Sequence, residues 1–216
     1  MTSPASTLTA PGGGIFHLSR ERIAARLARP PFEPRPEDRH ISFVPAGVRV
    51  TLAAVLVPLI RNAEGVNVLL TQRTAHLSDH PSQVSFPGGR VESGDENRIA
   101  TALRETEEEI GLARDRIEIV GMLPDYEMPS GFRISPVVGW IDSPFELRLD
   151  PFEVSEAFQV PLSFFLDPAN YQRRTYHFNG RDRDYLATPY QGRYIWGATA
   201  GMLYSLYRQL TDDLAG

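Results

Sequence analysis

The chain has 216 residues, 42% of them hydrophobic and 23% charged, with a formal net charge of −5 and no cysteine, which is the ordinary composition of one soluble globular domain. An acidic balance without a dense Lys/Arg run excludes the electrostatic footprint of a nucleic-acid binder, and the lack of cysteine excludes thiol catalysis and thiolate metal sites while suiting a reducing compartment, the cytoplasm. The longest apolar run, Leu52 to Ile60, is interrupted by Pro58 and falls far short of the ~20 residues of a membrane helix, so no membrane partner is expected either.

Residues 1–14 are small, polar and rich in Gly and Pro, without the basic and apolar regions of a secretory leader. They predict a flexible tail, Gly12 to Gly14 included because no phosphate-loop lysine follows them, and residues 15–216 are expected to form a single domain. Ser19 as N-cap, with Ile23 and Leu27 on one face, predicts a short helix over residues 19–28 that stops before Pro30-Pro31. Residues 30–47 read as an irregular connection. Residues 48–59 and 66–71 are apolar and β-branched on either side of the polar turn Arg61-Asn62-Ala63-Glu64-Gly65, and they predict two paired core strands.

Residues 72–95 sustain no period and carry Pro81, Pro87, Gly88, Gly89 and Gly94, so a loop is expected there around a short strand over residues 83–86. Ile99, Ala102, Leu103, Thr106 and Ile110 then repeat at helical spacing up to Gly111 at the C′ position. Residues 117–122 and 134–141 are the next strand candidates. Met202, Leu203, Leu206, Tyr207 and Leu210 form an apolar stripe that predicts a terminal helix over residues 196–210, covering the sheet.

The residues that carry chemistry lie in two linked stretches, Phe86-Pro87-Gly88-Gly89-Arg90-Val91-Glu92-Ser93-Gly94-Asp95 and Arg104-Glu105-Thr106-Glu107-Glu108-Glu109-Ile110-Gly111-Leu112. Helical spacing puts Glu105, Glu108 and Glu109 on one face at i, i+3 and i+4, opposite the apolar set. Like charges this close oppose one another by a few tenths of a kcal/mol per pair, so the arrangement asks for a cation, and oxygen ligands suit Mg²⁺ or Mn²⁺. A Glu-rich helix by itself is more often a solvated face. Here Pro87-Gly88-Gly89 stands directly before a helix expected to start near Asp95, where the backbone can approach a phosphate, and the ordered combination within ~25 residues is specific.

These two stretches resemble the signature of the Nudix hydrolase family: a glycine, a short spacer, an acidic residue, a helical spacer, then Arg-Glu-x-x-Glu-Glu-x-Gly-x. Residues Arg104 to Leu112 match the second half in full; Asp95 stands where a Glu is usual, and the spacer to Arg104 is one residue longer. Upstream, Leu69-Leu70-Thr71-Gln72-Arg73-Thr74-Ala75-His76-Leu77 and His80-Pro81-Ser82-Gln83-Val84-Ser85-Phe86-Pro87-Gly88-Gly89 are similar to the extension of the coenzyme A diphosphatase branch. There Ser78 replaces a basic residue, Ser82 a glycine, and Thr74 a small residue. Residues 153–162 and 194–201 look like the same branch.

The resemblance implies an α/β fold, an α/β/α sandwich around a mixed β-sheet, and metal-dependent hydrolysis of a diphosphate linkage with Mg²⁺ or Mn²⁺ as cofactor. Glu105, Glu108 and Glu109 would hold the metal, with the Gly89 carbonyl and Glu92 as further ligands, Arg104 orienting a carboxylate and Glu153 as candidate general base. Phe86, Gly88 and Gly89 would line the substrate. Arg73 would either contact a substrate phosphate or brace the acidic helix. The implied substrate is coenzyme A or an acyl derivative, cut to adenosine 3′,5′-bisphosphate and a phosphopantetheine. ADP-ribose or a dinucleotide is the first alternative, and a non-catalytic nucleotide sensor, which could discard the three glutamates, the second. The partner is a small-molecule nucleoside diphosphate derivative; a homodimer stays open.

Two further sets are assigned to bland roles. His76 and His80 have helical metal spacing, but Ser78-Asp79 between them and Pro81 after them predict a loop without metal. Tyr194, Trp196, Tyr204 and Tyr207 are expected as packing aromatics more than as a base-stacking platform.

Overall fold

A computed structural model describes residues 7–9, 15–17, 19–32, 44–77, 81–178 and 181–212. Strands β1 (Thr7–Thr9) and β2 (Ile15–His17) pair antiparallel with Leu8 opposite Phe16. Within the stretch 1–14 expected as a tail, the backbone of Thr7–Thr9 pairs with β2; its other residues lie outside the described ones. Helix α1 (Arg20–Leu27) is capped as the spacing requires, Ser19 Oγ accepting from the Arg22 N–H at 3.3 Å, and it buries Ile23 and Leu27.

The two predicted core strands are β3 (Thr51–Asn62) and β4 (Gly65–Arg73). Their turn is closed by Asn62 Oδ1, which accepts from the N–H groups of Glu64 and Gly65 at 2.9 and 3.0 Å, the local side-chain bonding that favours Asn in turns. Then follow β5 (Val84–Ser85), β6 (Gly88–Arg90), α2 (Arg98–Ile110), β7 (Glu118–Met122), β8 (Tyr126–Glu127), β9 (Phe132–Asp142) and β10 (Val154–Pro161). A short α3 (Leu162–Phe165), the hairpin of β11 (Gln172–Phe178) and β12 (Arg181–Ala187), and α4 (Gly197–Thr211) complete the described chain.

The main sheet runs β10-β4-β3-β9-β7, with β5 beside β4, β6 beside β3 and β8 beside β9. It is mixed: β3 and β9 are parallel from Thr51 opposite Phe132 to Arg61 opposite Asp142, and the other pairs are antiparallel. Alternation along central β3 divides the core. Ala53, Val55, Val57 and Leu59 face the layer of Ile23, Leu27, Leu203, Leu206 and Leu210, whereas Ala54, Leu56 and Ile60 face Ala102, Ile110 and Leu112. Burial on both faces explains why residues 48–59 read as a continuous apolar run. Helix α2 thus forms one outer layer and α1 with α4 the other, the α/β/α sandwich that the resemblance implied. Among the described residues no helix is long and apolar enough to cross a membrane.

Candidate functional site

The glycines expected in a loop form a strand instead. Gly88–Arg90 pairs antiparallel with β3, Ala54 opposite Gly89 and Val55 opposite Gly88, because glycine admits a backbone approach that a side chain would block. Helix α2 begins at Arg98, with Asn97 Oδ1 accepting from the Ala100 N–H at 3.0 Å. The expected start near Asp95 is corrected to Arg98, three residues later.

Asp95 acts as a clasp. Its carboxylate accepts from Arg104 Nε at 2.9 Å and Nη2 at 3.0 Å, from Thr101 Oγ1 at 2.9 Å and from the Glu92 N–H at 2.9 Å. The Arg104 guanidinium, first among these, holds the Asp95 carboxyl well below the usual carboxylate range. Arg104 also donates from Nη1 to Glu105 at 2.9 Å and to Glu108 at 3.1 Å, and from Nη2 to the Arg90 carbonyl at 3.2 Å. One side chain thereby ties together β6, the loop and two glutamates of α2.

The three glutamates share a face but not an environment. Glu108 is 60% exposed and Glu105 17% exposed, whereas Glu109 is 4% exposed. The chain after α2 accounts for the difference: Arg148 and Asp150 donate their N–H groups to the carbonyls of Ile110 and Glu109 at 2.8 and 2.9 Å. That return lays residues 148–153 along the end of the helix. Val154 pairs with Arg73, and Thr74 donates from its N–H to the Glu153 carbonyl at 3.0 Å and from Oγ1 to that of Phe152 at 2.7 Å. Glu153 and Arg73 are so brought to Glu109.

Burial above all, with Glu153 and Glu105 adding and Arg73 and the Gly88 backbone opposing, pushes the Glu109 carboxyl up to about 8. Burial likewise raises Glu105, with Arg104 opposing and Glu108 and Glu153 adding. Glu105, Glu109 and Glu153 therefore form an acidic basin in which negative charge is under-compensated. A Cβ built on Gly89 would lie 2.5 Å from the Glu105 carboxyl, so the glycine strand is its floor. Among the described residues no three His, Asp or Glu side chains are already converged as a metal site. Arg104 draws Glu105 and Glu108 to its own fork while Glu109 lies deeper. The donor set itself, carboxylate oxygens and backbone carbonyls, fits a hard divalent cation.

Other expected residues are placed elsewhere. Phe86, expected as a substrate contact, is 2% exposed and lies in the core shared with α4, between β5 and β6. The Glu92 side chain is exposed and its backbone serves the Asp95 clasp. Glu107 points outward to Arg114, at 2.7 Å. Of the electrostatic neighbours, Arg73 is the cation that opposes the rise at Glu109. Sequence reasoning missed the clasp role of Asp95 and the backbone caps from Arg148 and Asp150. The spacing of Asp95 to Arg104 was a signal for the first; the second left none. Tyr204 and Tyr207 pack on Tyr171 with ring centroids 5.2 and 6.2 Å apart, as expected of packing aromatics.

His76 lies edge-on to Phe152, ring centroids 4.8 Å apart; His80 lies outside the described residues. His76→Ala is expected to keep metal-dependent activity within about tenfold, or ~1.4 kcal/mol of barrier. A hundredfold loss in a steady-state assay would return the histidine to the mechanism.

The NUDIX domain family matches residues 50–177. A protein of Enterobacter sp. (strain 638) described as "Uncharacterized Nudix hydrolase NudL" is 40% identical over 158 residues, 73% of this chain and 82% of that protein. Its namesake in Klebsiella pneumoniae (strain 342) is 39% identical over the same shares. The crystal structure of a C. elegans Ap4A hydrolase binary complex covers 77% of this chain and 99% of its own at a TM-score of 0.50 and 21% identity, a likeness of fold. The matched span contains the glycine strand, the Arg104 clasp and all four basin and rim glutamates of α2 and β10's approach, and on that match the chain belongs to the Nudix family and is a Nudix hydrolase.

Proposed function

We propose that residues 15–216 act as a single cytoplasmic diphosphatase domain that hydrolyses coenzyme A or acyl-coenzyme A to adenosine 3′,5′-bisphosphate and (acyl-)phosphopantetheine, with Mg²⁺ or Mn²⁺ as cofactor. The observation that carries the reaction type is the basin of Glu105, Glu109 and Glu153 lying against the glycine strand, with Glu108 at its rim. Glu105, Glu108 and Glu109 would hold the cation, and the Gly89 carbonyl and the exposed Glu92 could extend the set. When bound, it supplies charge neutralisation for the diphosphate and acidifies water.

The chain's own groups do the rest. Gly88 and Gly89 let the diphosphate approach the backbone, Arg104 holds Glu105 and Glu108 in place, and Arg73 balances charge beside Glu109. Glu153 takes the proton of the attacking water, whose oxygen bonds to phosphorus as the bridging P–O bond breaks. The coenzyme A reading rests on the likeness of residues 69–89 to the coenzyme A branch, and the intact glutamates speak against a sensor. Coenzyme A is expected to give the highest kcat/KM in a panel with dephospho-coenzyme A, ADP-ribose and NADH at saturating Mg²⁺, because discrimination must come from groups outside the shared diphosphate. A tenfold advantage for ADP-ribose or NADH would remove coenzyme A and leave the hydrolase.

A further inference from the structure

Strand alternation sorts the β11–β12 hairpin into two unlike faces. On one, Thr175 stands opposite Asp184 and His177 opposite Asp182, and both pairs are hydrogen-bonded, at 2.7 and 2.8 Å. On the other, Arg174 stands opposite Tyr185 and Tyr176 opposite Arg183. Both of these pairs set an arginine opposite a tyrosine, and Asp182 and Asp184 are on the reverse.

The aromatic face continues into the segment before α4. Tyr185 lies 5.7 Å from Tyr176 and 5.5 Å from Trp196 between ring centroids, Tyr194 lies 6.5 Å from Trp196, and the Tyr185 and Tyr194 hydroxyls are 3.1 Å apart. Core aromatics would be covered, as Tyr126 is, yet Tyr176 is 41% and Tyr194 45% exposed. In a protein of net charge −5, a surface of π faces and arginines is complementary to an anionic ligand with a flat ring.

Two contacts tie this surface to the catalytic strands. Arg193 donates to Glu156 and stacks 4.3 Å over Phe158, both on the strand that starts directly after Glu153. Thr199 Oγ1 donates to the Val84 carbonyl at 3.0 Å, so the chain itself keeps Trp196 within about 25 Å of Gly88. That is a reach on the scale of an extended two-ended diphosphate ester.

We infer that the face bearing Arg174, Tyr176, Tyr185, Tyr194 and Trp196 receives the nucleobase of the substrate's nucleotide end, an inference that rests on the diphosphatase reading. The test follows indole emission of the full chain, since Trp140 is buried and Trp196 is half-buried; Trp196→Phe identifies the emitter. Adenosine 3′,5′-bisphosphate, AMP and inorganic diphosphate are titrated in Mg²⁺. Both nucleotides are expected to quench Trp196, diphosphate alone is not, and Tyr176→Ala with Tyr194→Ala should raise the nucleotide Kd about tenfold, the loss in turnover assays falling on KM. Arg174→Gln, an exposed change, supplies a second variant with the same expected direction. Nucleotide affinity unchanged in both variants would overturn the inference, as would an oligoadenylate binding more than tenfold tighter than AMP, which would make the face a nucleic-acid surface. A substrate panel favouring ADP-ribose or NADH would sink the coenzyme A reading while leaving AMP quenching and its dependence on the two tyrosines intact.

Discussion

Glu109→Gln is expected to lower turnover by roughly 10²–10³-fold, about 2.7–4 kcal/mol of barrier, while leaving the protein at least as stable as the parent at pH 7–8 in a chelator. The two effects have opposite signs because one buried group causes both. Glu109 is 4% exposed, and burial with Glu153 beside it moves its carboxyl from an ordinary 4.5 up to about 8. A folded-state value above the unfolded one means that the protonated form favours folding. The contribution is fully present below about pH 4.5 and is lost as pH rises through about 8, at up to ~1.4 kcal/mol per pH unit. Glutamine is neutral throughout and keeps an oxygen for the Gly88 backbone, so the variant's advantage should grow from pH 5 to pH 8, to the order of 3 kcal/mol at most.

Urea unfolding in chelator at pH 5 and pH 8, beside turnover with Mg²⁺, reads both. Parent-like activity would remove Glu109 from the chemistry, and a variant less stable than the parent at pH 8 would contradict the charge deficit assigned to the basin.

The adjacent glycines should fail in different ways. Gly88 sits at φ 153°, and a Cβ there would lie 2.4 Å from the Ala54 carbonyl oxygen and 2.5 Å from Val55 Cα. Both are backbone atoms of central β3 and cannot yield, so Gly88→Ala should cost more than ~4 kcal/mol and leave little soluble protein. At Gly89 the Cβ would meet the Glu105 carboxyl at 2.5 Å, the far end of a side chain that can swing away. Gly89→Ala should therefore fold with a melting temperature close to the parent's. Displacing Glu105 by about 1 Å from the Arg104 fork should lower kcat about 100-fold. Soluble yield and thermal midpoint separate the two variants. A soluble, parent-like Gly88→Ala would refute the close β3–β6 approach, and an unimpaired Gly89→Ala would show that Glu105 needs no fixed position.

What the chain determines by itself is whatever short-range periodicity encodes. The apolar run of β3, the Asn62 turn, the helical repeat of α2 and its stop at Gly111 each depend on neighbours a few residues away, and their positions in the fold agree with the spacing. The same holds for Glu105, Glu108 and Glu109, which had to share a face once the helix formed. Which of them would be buried was not encoded there. That depends on residues 148–153 returning along the end of α2 to bring Glu153 and Arg73 beside Glu109, contacts between stretches tens of residues apart.

Phe86 and Gly88 show the same limit at closer range. Phe86 was expected at the end of a short strand and Gly88 in the loop after it, and only the packed sheet puts one into the core and sets the other against the backbone of β3. Asp95 became a clasp because Asn97 took the cap and left its carboxylate to the Arg104 fork. Burial, and with it the electrostatics of the basin, is a property of the packed layers: the local chain supplies the charges, and the strands that come from elsewhere exclude the water around them.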